Sequence, residues 1–459
     1  MPLRWVAAVL LAVPLGASGP PSSWVPARWY WTDPASLDLL RDTPVNCLLM
    51  RSWTPAFAAA AAGRGVAVLA AIAPPADPAG AAREAAAAKL AGVVLEGDFP
   101  AGSARSASQA APGLAIVELP SRARMDLAST APVAGTYQGV WPGVQVLAGG
   151  AAKAAPTGSP WIDTNTGFLR AVRAWGLRNV WLGYLPPAGS VIPAERYLQA
   201  IADAAVAGGR WIVALDPDFA GRLARREAAA LRDWKRMAQL LRYFEDHPEW
   251  RGLDLYGKLA IVQDPDSGAL LSGGILDMIT ARHTPVRPVP VARLSPDALR
   301  GATLAVNVEG NRLPPEKQEI LKGFARSGGT LLTAPGGGLA PAGGTAITLA
   351  QADLERLNDV WRDVQSLIGR RNLGARLFNV SSMLSVLLAS SDGKELVLHL
   401  VNYSSYPVEN VTVHFTGAWR HARLLTPEGT EKDLEIYPVE DGVGVDIPVV
   451  PICATLRLD

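Results

Sequence analysis

The chain has 459 residues, 49% of them hydrophobic and 19% charged. It is long enough for several buried cores and too apolar for a disordered chain. Forty-three basic against 42 acidic side chains leave a net charge of +1, with no block of one sign, which argues against a nucleic-acid binder that neutralises phosphates. Glycine (44) and proline (37) stay below the share that marks low-complexity sequence and point to many turns.

In chain order, the first segment is MPLRWVAAVLLAVPLGASGPPSS, with Arg4 ahead of an apolar run from Trp5 to Leu15 and small residues after it. This is the layout of a secretory signal over residues 1–23, too short to span a membrane. The expected product is exported, periplasmic or extracellular, with no integral membrane segment after signal removal.

Over residues 24–255 one pattern recurs: an alanine-rich helix, a glycine, a short apolar strand, then a polar or acidic residue, as in AAREAAAAKLAG-VVLEGD and YLQAIADAAVAGG-RWIVALDPD. Helices capped by glycine and alternating with buried strands specify βα units and a mostly parallel sheet. Candidate strands are 45–50, 66–72, 93–96, 114–118, 133–137, 144–148, 180–184 and 212–216. The fifth and sixth are too close to hold a helix between them, and Arg28–Trp31 is the substitute strand. Eight strands predict an α/β fold of degenerate (β/α)8 barrel type, with a doubly wound open sheet as the alternative. The stripe Leu231, Trp234, Ala238, Leu241 and Phe244 predicts a packing helix that closes this segment.

Residues 256–350 read as a small doubly wound α/β domain: KLAIVQD, a helix around LLSGGILDMITARH, ATLAVNVE, the helix PPEKQEILKGFARSGG and the strand TLLTAPGGG. The glycine-rich stretch here is neither GxGxxG nor a P-loop. Residues 351–459 open with the helix DLERLNDVWRDVQSLI and continue as alternating strands between Asp-Gly, Glu-Gly and Ser/Pro turns, an antiparallel β-sandwich. Cys47 and Cys453 each sit in an apolar run and are read as small buried hydrophobes. The five histidines lack metal-ligand spacing, and no cofactor is expected. Asn379, Asn402 and Asn410 head N-x-S/T sequons, relevant only in a host that glycosylates exported proteins.

The stretches GKLAIVQD, SGGTLLTAPGG and LVLHLVNYSSYPVENVTVHF, in an exported barrel, flavodoxin- or amidotransferase-like domain and sandwich order, resemble the architecture of the family 42 glycoside hydrolases (β-galactosidases). The resemblance implies carbohydrate as the substrate, a homo-oligomer formed through the middle domain, and two carboxylates at barrel strand ends. The position of that family's Asn-Glu pair is occupied by Val117-Glu118, and the late-strand carboxylate is Asp216. The middle domain also lacks the cysteine nucleophile of an amidotransferase.

Barrel sites form at the C-terminal ends of strands. Four acidic clusters lie there: Glu96 with Asp98, Glu118, Asp163, and Asp216 with Asp218. Glycoside hydrolysis needs one carboxylic acid to protonate the leaving oxygen and one carboxylate to attack or to activate water. Glu118 as acid/base with Asp216 as nucleophile or base is the sharpest pairing, and Glu96 and Asp163 are the further catalytic candidates. Against this, Asp216-Pro217 is equally a helix cap. Trp161, Asn165, Tyr137, Gln138, Trp141 and Asp98 are candidates for sugar binding, since a ring beside hydrogen-bonding groups suits a sugar's C–H face and hydroxyls. Equally, Asp163 or Thr164 serves as an N-cap there, with Trp161 as its hydrophobic staple. The expected function is hydrolysis of a glycosidic bond in an oligo- or polysaccharide; the alternative is a non-catalytic carbohydrate-binding or surface-assembly protein on the same scaffold. A lyase or ester reaction is a third, weaker option.

Overall fold

A computed structural model describes residues 21–142, 144–146, 152–154, 164–263, 283–334, 351–380 and 382–459. In the first segment five parallel strands stand in chain order: β1 (Pro26–Arg28), β2 (Cys47–Met50), β3 (Ala67–Ile72), β4 (Gly92–Glu96) and β5 (Ala115–Leu119). A second parallel sheet joins β6 (Ala134–Thr136) to β9 (Val180–Leu182) and β10 (Gly209–Trp211). Between β6 and β9, β7 (Val144–Val146) and β8 (Ala152–Ala154) form a separate antiparallel hairpin.

The expected strand at 144–148 is therefore no member of the parallel set, and the substitute beginning at Arg28 is displaced to Pro26–Arg28. The expected strand at 212–216 is displaced to Gly209–Trp211, and Asp216, its expected last residue, caps a helix instead. The two sheets meet at both edges. A parallel bridge pairs Ala27 with Val213. On the other side the Tyr137 amide donates to the Pro120 carbonyl (3.2 Å), as does the Thr136 hydroxyl (2.7 Å).

Helices α1 (Pro55–Gly63), α2 (Pro78–Ala87) and α3 (Ser103–Ala110) follow β2, β3 and β4. Thr54 and Asp77 cap the first two, each with proline in the first turn, where its missing N–H costs nothing. No α-helix separates β5 from β6. Helices α4 (Thr166–Ala174), α5 (Ala194–Ala205), α6 (Pro217–Ala224) and α7 (Ala228–Glu245) complete the layer, and Trp234, Ala238, Leu241 and Phe244 of α7 are buried as their spacing predicts.

The short strand β11 (Asp254–Leu255) pairs antiparallel with β17 (Met383–Ala389), so the end of the first segment already belongs to the sandwich. The middle segment is a parallel sheet in the order β13-β12-β14-β15, from β12 (Leu259–Gln263), β13 (Val286–Pro290), β14 (Leu304–Asn307) and β15 (Thr330–Thr333), with α8 (Pro315–Arg326) between the last two. The expected helix around LLSGGILDMITARH falls outside the described residues. Helix α9 (Gln351–Ile368) leads into two antiparallel sheets.

The six-stranded sheet runs β11-β17-β18-β24-β20-β21, with β17 (Met383–Ala389), β18 (Leu396–Asn402), β20 (Ala422–Leu425), β21 (Glu431–Asp433) and β24 (Cys453–Leu458). The four-stranded sheet runs β16-β19-β23-β22, with β16 (Ala375–Phe378), β19 (Val408–Thr416), β22 (Tyr437–Val439) and β23 (Gly442–Val450). A core including Val413, Phe415, Val445 and Leu456 fills the space between them.

The sandwich docks on the helical layer through apolar and polar contacts together. Val397, Val401 and Tyr403 share one core with Phe168, Tyr197 and Ile201. Across it Arg170 donates to the Ser385 carbonyl (2.6 Å), Gln199 to those of Asn402 (2.9 Å) and Ser404 (2.8 Å), and Tyr243 meets the Thr455 hydroxyl (2.6 Å). Both cysteines are free and fully buried, and burial holds each thiol's pKa up. Asn402 is buried too, its amide nitrogen donating to Tyr406, Val450 and Pro451 carbonyls, so that sequon is committed to the fold.

Candidate active site at the strand ends

Side chains alternate across a strand. Cys47 and Leu49 of β2, Leu69 of β3, Val94 of β4, Val117 and Leu119 of β5, Trp181 of β9 and Ile212 after β10 share one apolar cluster on the inner face. One step further toward the C-terminal ends, the same alternation places Arg28, Arg51 and Glu96 on that face. An Arg28 guanidinium nitrogen pairs with a Glu96 carboxylate oxygen, and both side chains are largely buried. In the sheet β1 and β4 are separated by β2 and β3, so this contact spans the concave interior of a strongly curved sheet. Arg28 also reaches β9: a Cβ added at Gly183 would lie 3.8 Å from its Nη2.

Around the pair stand Tyr137, Asp98, Tyr30 and Arg51. Burial, then the charges of Asp98 and Glu96, raises the Tyr137 phenol pKa, placing both carboxylates within electrostatic reach of that ring. Asp98 accepts from the Ser121 amide (2.8 Å). Between the acids, Gly97 has φ +117, and a Cβ there would come 2.9 Å from Pro74 Cδ; only glycine gives this turn at such close range. Burial raises the Tyr30 phenol pKa while the nearby guanidinium groups of Arg28 and Arg51 pull it down. Tyr30 and Tyr184 keep part of their rings open at this end, 46% and 39% exposed, and the polar and ring groups together can hold a sugar.

The remaining sequence candidates are placed differently. Asp216 is fully buried and caps α6: its carboxylate accepts from the Phe219 amide (3.0 Å), the Ile192 amide (3.2 Å) and the Tyr197 hydroxyl (2.7 Å). Its acceptor capacity is committed to the fold, so the role of nucleophile or base is corrected to helix capping. Glu118 pairs in register with Leu95, whose side chain packs under the helices, whereas Val117 and Leu119 on either side point inward. Strand alternation thus turns Glu118 to the outer face, away from Glu96, and the proposed Glu118–Asp216 pair does not form. Instead Glu118 lines a 220 Å³ cavity with Asp98, Arg124 and Asp126, where β5 has no crossover helix to cover it. Burial, then the Asp126 charge, raises its carboxyl pKa.

Three candidates for sugar binding are also structural. Asn165 is buried; its Oδ1 accepts from Val140 N (2.8 Å) and Arg122 (3.2 Å), and its Nδ2 donates to Val140 O (2.9 Å) and Asp203 (2.9 Å). Gln138 accepts from the Arg122 amide through Oε1 (2.8 Å) and from Arg122 Nε through its carbonyl (2.8 Å). Trp141 is buried edge-on against Tyr197 and Trp211, each with centroids 5.1 Å away. Trp161 and Asp163 lie outside the described residues.

Sequence reasoning missed Arg28 and Asp203. Arg28 follows Trp24 and Pro26 at two-residue steps in WVPAR, which marks it as inward-facing once that stretch is a strand. Asp203 interrupts the apolar face of YLQAIADAAV; an acid there signals a buried partner set. Its carboxylate takes bonds from Asn165 N (2.7 Å), Asn165 Nδ2 (2.9 Å), Thr166 Oγ1 (2.5 Å) and Tyr403 OH (2.7 Å).

Among solved structures the chain is similar to α-L-fucosidase isoenzyme 2 from Paenibacillus thiaminolyticus, at 10% identity and a TM-score of 0.62, covering 95% of this chain and 99% of that one. It is also similar to a β-galactosidase from Rahnella sp. R3, at 10% identity and a TM-score of 0.52, covering 96% and 99%. The chain has a glycoside hydrolase-like architecture over nearly its whole length. No protein-family model and no curated protein matches it by sequence. At this identity the likeness carries the scaffold and leaves the chemistry to the residues.

Proposed function

We propose that this chain is an exported, carbohydrate-active protein in which two parallel sheets form a degenerate (β/α)8 barrel, with a glycan bound at the strand ends and its glycosidic bond hydrolysed there. The carrying observation is the Arg28–Glu96 pair across the interior. The guanidinium holds the Glu96 carboxylate in place across the interior, where a nucleophile or water-activating base would stand. Asp98, the other carboxylate near Tyr137, is the group to protonate the leaving oxygen. Tyr30, Tyr184 and Tyr137 supply ring faces for the sugar. The basic and apolar start of the chain supports export.

A second reading, glycan binding without catalysis, is favoured by the commitment of Asp216 to the α6 cap and by the outward turn of Glu118. Both are tested on one panel of aryl glycosides and oligosaccharides, using wild type, Glu96→Gln and Asp98→Asn. Turnover by wild type that falls at least a hundredfold in Glu96→Gln supports hydrolysis at this site. Glycan binding without turnover gives the second reading, and a wild type that neither binds nor cleaves any glycan overturns both. N-terminal sequencing of the protein recovered outside the cytoplasm tests the signal: an intact Met1 start on exported protein overturns its cleavage.

A further inference from the structure

The outer face of the four-stranded sandwich sheet differs from an ordinary solvated sheet. Ala375, Val413 and Val445 point into the sandwich core, so the alternating residues point away from it. In register across the four strands, Arg376 of β16 pairs with His414 of β19, His414 with Gly444 of β23, and Gly444 with Tyr437 of β22. A second row pairs Phe378 with Thr412 and Thr412 with Asp446.

The row is built to hold rings against the sheet. At Gly444 an added Cβ would lie 2.3 Å from Tyr437 Cε2; the missing side chain lets the tyrosine ring settle over the strand. His414 stands between the two other rings, its centroid 4.6 Å from Phe378 and 6.3 Å from Tyr437. The Arg376 guanidinium lies 5.6 Å from the Phe378 centroid. Asp446 fixes the polar edge, its Oδ1 accepting from Thr412 Oγ1 (2.6 Å) and Tyr437 OH (3.1 Å). Phe378 is 39% exposed on the outer face, beside the partly exposed rings of His414 and Tyr437.

We propose that this face is a second carbohydrate-binding site, for a neutral pyranose oligosaccharide, separate from the strand ends. Apolar C–H faces of sugar rings stack on Phe378, His414 and Tyr437, while Asp446, Thr412 and Arg376 meet the hydroxyls. The chemistry selects a neutral ligand: the one carboxylate and one guanidinium at the edges balance in charge. Burial, and after it the Arg376 charge, keeps the imidazole pKa of His414 below its ordinary value, so the central ring is uncharged at neutral pH.

The test uses the full chain on an array of neutral hexaoses of β-1,4-linked glucose, xylose and mannose, with polygalacturonate as the acidic comparison. Tyr437→Ala and Phe378→Ala are each expected to weaken neutral-oligosaccharide binding about tenfold, in line with a ring's share of stacking energy. Gly444→Val, which leaves all three rings in the chain but lifts Tyr437 from the sheet, is expected to do the same. Asp446→Asn serves where a ring variant fails to fold. Turnover of a small aryl glycoside, confined to the strand ends, is expected to be unchanged in all four, which separates this site from the one proposed there. A wild type that binds no neutral hexaose, or folded variants that bind like wild type, overturns the proposal.

Discussion

Two regions of this molecule gather buried polar side chains, and they treat them differently. Where the sandwich meets the helical layer, Asp203 takes four bonds within 3 Å, from Asn165, Thr166 and Tyr403. At the strand ends, among the described residues, Glu96 meets the Arg28 guanidinium, whose Nε has no hydrogen-bond partner there. A carboxylate whose donors are all supplied by the protein is part of the assembly. One that is largely buried and left with capacity to bond is where a ligand's chemistry can enter. Asp216, saturated like Asp203, belongs with the assembly although it sits at a strand end.

Substitutions can break this contrast in decreasing order of effect. Asp203→Ala should cost about 3–5 kcal/mol, because the Asn165, Thr166 and Tyr403 donors lose their acceptor inside the protein; denaturant titration reads it, and a loss under about 1 kcal/mol would refute the assembly role. Asp216→Ala should cost about 2–3 kcal/mol through its cap and the Tyr197 bond, with glycan turnover retained in the folded fraction. Turnover that disappears while stability holds would return Asp216 to the active site.

His399, fully buried in the sandwich sheet against Trp250, has its pKa pushed down to about 3 by burial, with the charges of Arg173 and His247 adding to it. The unfolded chain takes up this proton near pH 6.5 and the folded one does not. Stability should therefore be intact above that pH and decline by up to about 1.4 kcal/mol per unit as pH falls toward 3. His399→Gln should flatten that decline in a pH series of unfolding curves; an unchanged slope would exclude His399 as its source. The smallest effect belongs to Glu118→Gln, within about 0.5 kcal/mol of wild type, since the surface side chain makes no bond the fold depends on and sheds the burial cost of its charge and its repulsion with Asp126. A hundredfold loss of turnover there would contradict its outward placement.

Much of the fold was legible because period and punctuation are local. Glycine after each alanine-rich helix, apolar runs at β2 to β5, and Asp-Gly turns in the last segment each announce their element within a few residues. The site was less legible because it depends on which way one residue points. Glu118 and Glu96 both read as acids at the end of an apolar strand, yet the alternation sends one outward and the other inward. Asp216 looked catalytic by position and is claimed by Tyr197 and Ile192, 19 and 24 residues earlier in the chain. Arg28, paired across the strand ends with Glu96, lies in a strand of only three residues, so its two-residue step from Trp24 and Pro26 acquires meaning only once that stretch is seen to be a strand.

The helices over the five-stranded sheet are made largely of alanine, with Ala61, Ala82 and Ala85 fully buried. A methyl group occupies so little depth that these helices lie close on their strands, and each contributes little apolar area of its own. Their attachment depends on fit more than on bulk. A leucine at Ala82 or Ala85 would pry the helix off the sheet instead of strengthening it. Ordinary core-enlarging design is thus closed to this half of the molecule, and its room for change lies in the loops above the strand ends.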